Sequence, residues 1–294
     1  MTLTNLRPLA VALVVMGLSG CSANPPSAGQ SSQIPISVSI EPQKYFVEKI
    51  GGDNVAVNVM IAPGVDPHTY EPKPEQLKQL SKTQAFFTVG VSLEDAWKAR
   101  LQSVNPKMLV VDTSKGVEKL PLEEHEHEHE HGSLDPHIWL SPKRVKLQAE
   151  TIYQTLVQID PQNQAKYQAN LEGFIQEIKT LDQDIQENLK NVKSRKFIVF
   201  HPEWGYFAKD YGLEMVSIEV EGNEPSASEL ADLIKSAKAE KIKVIFAQPE
   251  FSTKSSETIA KEIDGQVMTI SAFSPDWSNN LRQVSKKMSE VLNK

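Results

Sequence analysis

Apolar positions along this chain fall into two periods, and the two alternate. From Ile34 to Ile40 every second residue is apolar, the period of a strand, and Val55 to Ile61 repeats the pattern. Ala85 to Val89 and Met108 to Val111 are short continuous apolar runs of the kind a strand buried on both faces shows. Helical segments separate them at about 42–50, from about Lys73, and around Leu93–Ser103. The first of these stops at Gly51-Gly52. A further helix is predicted over about 142–158. The alternation then resumes with strands Phe197–Phe200, Met215–Val220, Val244–Phe246 and Val267–Ile270. Ser226 and Glu229 form a capping box for a helix reaching Ala237, and later helices fall near 253–263 and from about Asn279. Strands alternating with helices predict βα units around parallel sheets.

One stretch breaks the alternation. Asp160-Pro161 reads as a cap followed by a first-turn proline, and Tyr167, Leu171, Phe174, Ile178, Leu181, Ile185 and Leu189 then recur at three- and four-residue steps. A helix of about 30 residues would span roughly 45 Å, more than one small lobe needs. The expected fold class is therefore α/β, with two parallel-sheet βα lobes joined by one long rigid α-helix and a cleft between them. The expected boundaries are a signal peptide (1–20), a lipidated flexible tether (21–33), an N-terminal lobe (34–159), the linking helix (160–193) and a C-terminal lobe (194–294).

Composition narrows the function classes. A chain of 294 residues with 39% hydrophobic content can bury a large core, and its length favours two domains. The net charge of −7 leaves no basic footprint for nucleic acid or for an anionic membrane surface. The N-terminus carries Arg7, then an apolar run from Leu9 to Leu18, a signal-peptide length too short to span a bilayer. Leu18-Ser19-Gly20-Cys21 resembles a bacterial lipobox, in which the cysteine receives a diacylglycerol. Cys21 is the only cysteine, so it has no internal disulfide partner, and lipidation accounts for it. An ordinary secretory signal with a stray cysteine is the alternative.

The histidines carry the chemistry. Of seven, five lie in 125–137: His125, His127, His129, His131 and His137. His68 and His201 stand apart. Asp66-Pro67-His68 is echoed by Asp135-Pro136-His137, and the prolines restrict the backbone before each ring. His68 follows a predicted strand and His201 ends another, where parallel α/β sheets bind ligands. Neutral imidazole is the usual zinc ligand, and Asp66 and Asp135 are candidates to hydrogen-bond a ring N–H, which the geometry decides. In an extended run His125, His127, His129 and His131 share one face, a strip for loose Zn²⁺ capture or simply a solvated acidic loop. His125-Glu126-His127-Glu128-His129 matches H-E-x-x-H only formally, because its charged neighbours provide no core-facing helix.

Pro63-Gly64-Val65-Asp66-Pro67-His68-Thr69-Tyr70-Glu71-Pro72, Asp135-Pro136-His137-Ile138-Trp139-Leu140-Ser141-Pro142, and Phe200-His201 with Glu224-Pro225-Ser226 together resemble a known family. It comprises the lipoprotein-type solute-binding proteins of ABC importers for zinc and manganese, including the ZnuA-like zinc binders. The resemblance covers essentially the whole mature chain. It implies a two-lobed protein that holds one ion in its cleft with His68, His137 and His201. Manganese binders of the family typically place Glu at the third position and zinc binders His, so His201 favours Zn²⁺. Many relatives add an aspartate after the last strand. Here the matching position is Ser271, leaving Ser271, Asp276 or a water as the fourth donor.

The expected function is a zinc receptor, not an enzyme, that hands Zn²⁺ to an ABC permease with its ATPase subunit. It would act as a monomer, anchored by lipid in the periplasm or on the outer face of the cytoplasmic membrane. The competing readings are a manganese receptor, a zinc hydrolase using Glu203 or Glu250 as base, and an adhesin.

Overall fold

The computed structural model describes residues 33–62, 64–65, 70–122, 134–219 and 223–293. Cys21, His68 with Asp66 and Pro67, and the histidine run 125–131 lie outside the described residues, as do the signal and tether segments before Gln33.

The N-terminal lobe runs β1 (Ile34–Val38), α1 (Glu41–Gly51), β2 (Val55–Val59), α2 (Pro74–Leu80), β3 (Ala85–Thr88), α3 (Ser92–Val104) and β4 (Leu109–Asp112). Then come α4 (Pro142–Ile159) and the long α5 (Gln164–Leu189). The C-terminal lobe follows with β5 (Lys196–Val199), α6 (Gly205–Tyr211), β6 (Glu214–Ser217), α7 (Ala227–Ala239), β7 (Val244–Ala247), α8 (Lys254–Glu262), β8 (Gln266–Thr269) and α9 (Trp277–Leu292). The strands pair in the orders β2-β1-β3-β4 and β6-β5-β7-β8, every pair parallel. Both sheets are thus built alike, with the first strand lying between the second and the third.

Sequence and structure agree on why these strands form. Ala85, Phe86 and Phe87 of β3 and all four residues of β7 are buried, as continuous apolar runs require in a parallel sheet covered on both faces. Helix α1 ends where Gly52 takes φ +54, a conformation that side chains with a Cβ disfavour. Ser226 and Glu229 close the expected box at the start of α7, at 3.3 and 2.7 Å.

The linking helix is α5, 26 residues preceded by a 3₁₀ turn over Pro161–Asn163. All seven residues of the apolar stripe from Tyr167 to Leu189 are buried, against α1 and α4 in one lobe and α9 in the other. Asp160 does not cap this helix. Its carboxylate is drawn instead to the Tyr167 hydroxyl (2.6 Å) and the Asn163 amide (2.7 Å), so the first turn tightens to 3₁₀. At the start of α9, earlier than the sequence places it, Trp277 packs onto the N-terminal lobe. Its ring stands perpendicular to Phe46 at 5.0 Å and lies 6.1 Å from Tyr45 and 6.2 Å from Phe174. One apolar core consequently runs through both lobes. Among the described residues no helix is long and apolar enough to cross a membrane.

In such sheets the strand order reverses beside the first strand, and ligands bind beyond the carboxyl ends there. In the C-terminal lobe that point lies between β5 and β7. His201 follows the one by two residues, and Gln248 directly follows the other.

Candidate metal centre

His137 is buried in the segment that leads into α4, and Asp135 sets its position. One carboxylate oxygen, Oδ1, accepts both the His137 backbone N–H at 2.8 Å and the ring Nδ1–H at 2.7 Å. An ionised carboxylate only accepts, so Nδ1 carries the proton and Nε2 presents its lone pair. The following residues, Ile138–Leu140, form a 3₁₀ turn whose three side chains are all buried. Though it belongs to the N-terminal lobe in sequence, this segment is docked on the other lobe. The Tyr206 hydroxyl donates to the Asp135 carbonyl at 2.8 Å and accepts from the Leu120 N–H at 3.0 Å. The Arg144 guanidinium pairs with Asp210 at 2.9 Å.

His201 is held in the same manner. Its ring Nδ1 meets Glu219 Oε1 at 2.7 Å, and Glu219 stands just past β6, the neighbour of β5. Gln248 grips the His201 backbone at two points: its Oε1 accepts the N–H at 3.3 Å and its Nε2 donates to the carbonyl at 2.8 Å. Phe251 lies against the imidazole with centroids 4.8 Å apart and planes 30° from parallel. Burial pushes the His201 ring below the usual imidazole range, and the bond to Glu219 opposes that shift. Its neutral form, the one that binds metal, is favoured.

The two rings meet at 5.2 Å between centroids, at 81° to each other. Each ring meets a carboxylate at Nδ1, an arrangement usual for metal-bound histidine. Among the described residues no group of three or more His, Cys, Asp or Glu is arranged to hold an ion. Of the sequence candidates, the structure therefore brings His137 and His201 together. His68, His125, His127, His129, His131 and Cys21 lie outside the described residues.

For the fourth position, Ser271 Oγ accepts the Phe273 N–H at 3.2 Å, and Asp276 is exposed just before α9. Glu203 is fully buried, with Oε1 held by the Trp204 indole at 3.0 Å. Burial and then the charge of Glu250 push its carboxyl well above the usual range, which favours the neutral acid.

Sequence reasoning anticipated Asp135 but missed Glu219, Gln248 and Phe251. The available signal at Glu219 was a carboxylate inside an apolar strand run; what it meets depends on β6 lying beside β5.

Gly205, the first residue of α6, is also part of the site. A Cβ there would sit 3.0 Å from Asp135 Oδ2, the carboxylate that positions His137. Gly205→Ala should favour the helix while pressing on Asp135. We expect unchanged or higher thermal stability together with metal affinity reduced about tenfold, as for other outer-sphere losses. Thermal melts and chelator competition on the same variant check both halves.

Two parallel lobes, a linking helix and a buried, carboxylate-tethered imidazole pair at the switch point define a solute-binding protein that takes a metal ion. The family model described as "ZnuA: Zinc-uptake complex component A periplasmic" matches residues 36–291, and the chain belongs to that family. Its members are solute-binding receptors for metal import by ABC transporters, not enzymes. The chain is 29% identical over 281 residues to the high-affinity zinc uptake system protein ZnuA of Bacillus subtilis, covering 92% of this chain and 88% of that protein. It is 28% identical over 261 residues to the manganese ABC transporter substrate-binding lipoprotein scaA of Streptococcus gordonii, covering 85% and 83%. A crystal structure of ZnuA superimposes with a TM-score of 0.84 at 46% identity, over 88% of this chain and 99% of that one.

Proposed function

We propose that this protein is a zinc receptor in which His68, His137 and His201 coordinate one Zn²⁺ ion, with a water in the fourth position. The observation that carries the reading is the pair His137–His201, each ring tethered at Nδ1 by a buried carboxylate. Two fixed imidazoles suit Zn²⁺ better than Mn²⁺, which prefers oxygen donors. Manganese remains the competing cargo, since relatives carry both names. His68 supplies the third nitrogen through the first Asp-Pro-His motif, Asp66-Pro67-His68. Ser271 is a poor donor already engaged by a backbone N–H, and Asp276 faces solvent.

In this reading the ion passes to an ABC permease driven by its ATPase subunit. Cys21 carries the lipid that anchors the monomeric receptor to the outer face of the membrane. The run His125, His127, His129 and His131 collects Zn²⁺ loosely and feeds the buried site.

Competitive titration of the soluble chain from Ile34 tests this. The expected result is one tight Zn²⁺ site and weak Mn²⁺ binding. Deleting 123–131 should remove only the weak sites, leaving the tight affinity within about twofold while slowing capture at low zinc, because the buried pair is held by its own carboxylates, Asp135 and Glu219. Collapse of the tight site on deletion would show that the run is part of it.

A further inference from the structure

The turn that carries His137 is tied to the β8–α9 connection and the start of α9 by the indole hydrogen bonds of two tryptophans. The Trp139 indole N–H donates to the Ala272 carbonyl at 2.9 Å, and the Trp277 indole N–H donates to the Trp139 carbonyl at 2.7 Å. Both indoles are buried. The Trp139 ring stands edge-on to the His137 ring at 5.2 Å and contacts Phe273 at 5.4 Å. Trp277, at its other face, is wedged among Tyr45 and Phe46 of α1 and Phe174 of α5. A single side chain thus spans from the contact between the lobes to the backbone of the ligand-bearing turn.

We propose that Trp277 is a positioning residue for His137, and that it makes the lifetime of the bound ion depend on how α9 sits against the N-terminal lobe. Two features of the geometry support this. The Trp139 carbonyl belongs to a fully buried residue among aromatic rings, so losing the Trp277 N–H leaves a buried acceptor unsatisfied and favours rearrangement of the turn. That turn is short, with the Leu140 N–H bonded back to the His137 carbonyl at 3.2 Å, so a shift at Trp139 is passed on to the imidazole two residues away. A partner that displaces the start of α9 would loosen His137 without touching the metal. The inference deepens the receptor reading and rests on His137 being a ligand.

Trp277→Phe keeps an aromatic ring in the cluster but removes the donor together with part of the ring, so its packing loss needs a matched control. Phe174→Leu perturbs the same cluster while leaving both indole bonds in place. We expect Trp277→Phe to speed zinc dissociation into excess chelator by about tenfold, the scale of outer-sphere partners, with Phe174→Leu near the wild-type rate even if its melting temperature falls as far. Equal acceleration in the two variants, or none in Trp277→Phe, would overturn the proposal and leave Trp277 a packing residue. The His137 ring ¹H–¹³C resonances of the metal-free variants supply a second measure. A shift in Trp277→Phe but not in Phe174→Leu supports positioning whichever ion binds, and identical spectra contradict it. Failure of the receptor reading is seen separately, in wild-type protein that holds no ion tightly.

Discussion

His201→Ala is expected to abolish tight zinc binding, and His201→Glu to move the preference toward manganese. In the proposed site the alanine variant loses a coordinating nitrogen outright. Its effect should lie well beyond the roughly 10–100-fold that removal of an outer partner costs, the range expected for Glu219→Ala. The glutamate variant keeps a donor but trades a borderline nitrogen for a hard oxygen, which suits Mn²⁺ and weakens the site for Zn²⁺. Competition titrations with both ions on the three variants distinguish the cases. Equal Zn²⁺ affinity in wild type and His201→Ala would remove His201 from the coordination sphere, whatever the fold. The ranking matters as much as the sizes: His201→Ala should exceed Glu219→Ala, because Glu219 acts only through the ring it orients.

The second large effect is on pH. An imidazole binds metal only when neutral, so protons compete for every coordinating histidine. The three proposed ligands imply that affinity falls by up to about a thousandfold per pH unit once all three take protons. His201 departs from the simple case in a defined direction. Burial depresses its proton affinity, so its neutral form persists below the usual imidazole range and its share of the loss is delayed to lower pH. Zinc affinity should therefore fall as the pH drops, with the His201 contribution lost only below the ordinary imidazole value of about 6.5. Chelator competition as a function of pH checks the curve. A flat profile down to pH 5 would mean that carboxylates, not imidazoles, hold the ion.

Much of this architecture was legible because it is local. The strands announced themselves as short apolar runs, and the seven-residue stripe of α5 was readable residue by residue, since a helix buried on one side must repeat every three or four positions. Helix α6 escaped notice for the complementary reason. Tyr206, Phe207, Ala208 and Tyr211 are all buried within seven residues, too short and too apolar to display a period. Asp160 looked like a cap because that is what Asp before Pro commonly does. Its carboxylate turned to Tyr167, seven residues on, a choice made by three-dimensional proximity.

The site divides along the same line. His137 and its tether Asp135 lie two residues apart, so the pairing could be anticipated from the motif. Glu219 reaches His201 across neighbouring strands, and Gln248 does so from the strand on the other side. The bond from Trp277 to Trp139 joins residues 138 positions apart, and nothing in either segment points to the other. Residue types that bind a metal were visible in the sequence; the groups that orient them were supplied by the parallel order of the sheet.

The most direct test of the central claim is X-ray absorption at the zinc edge on the one-to-one complex of the soluble chain lacking 123–131. Three imidazole nitrogens and one further oxygen at about 2.0–2.1 Å are predicted. A sphere with fewer than three imidazoles, or one dominated by carboxylate oxygen, would contradict a site made by His68, His137 and His201.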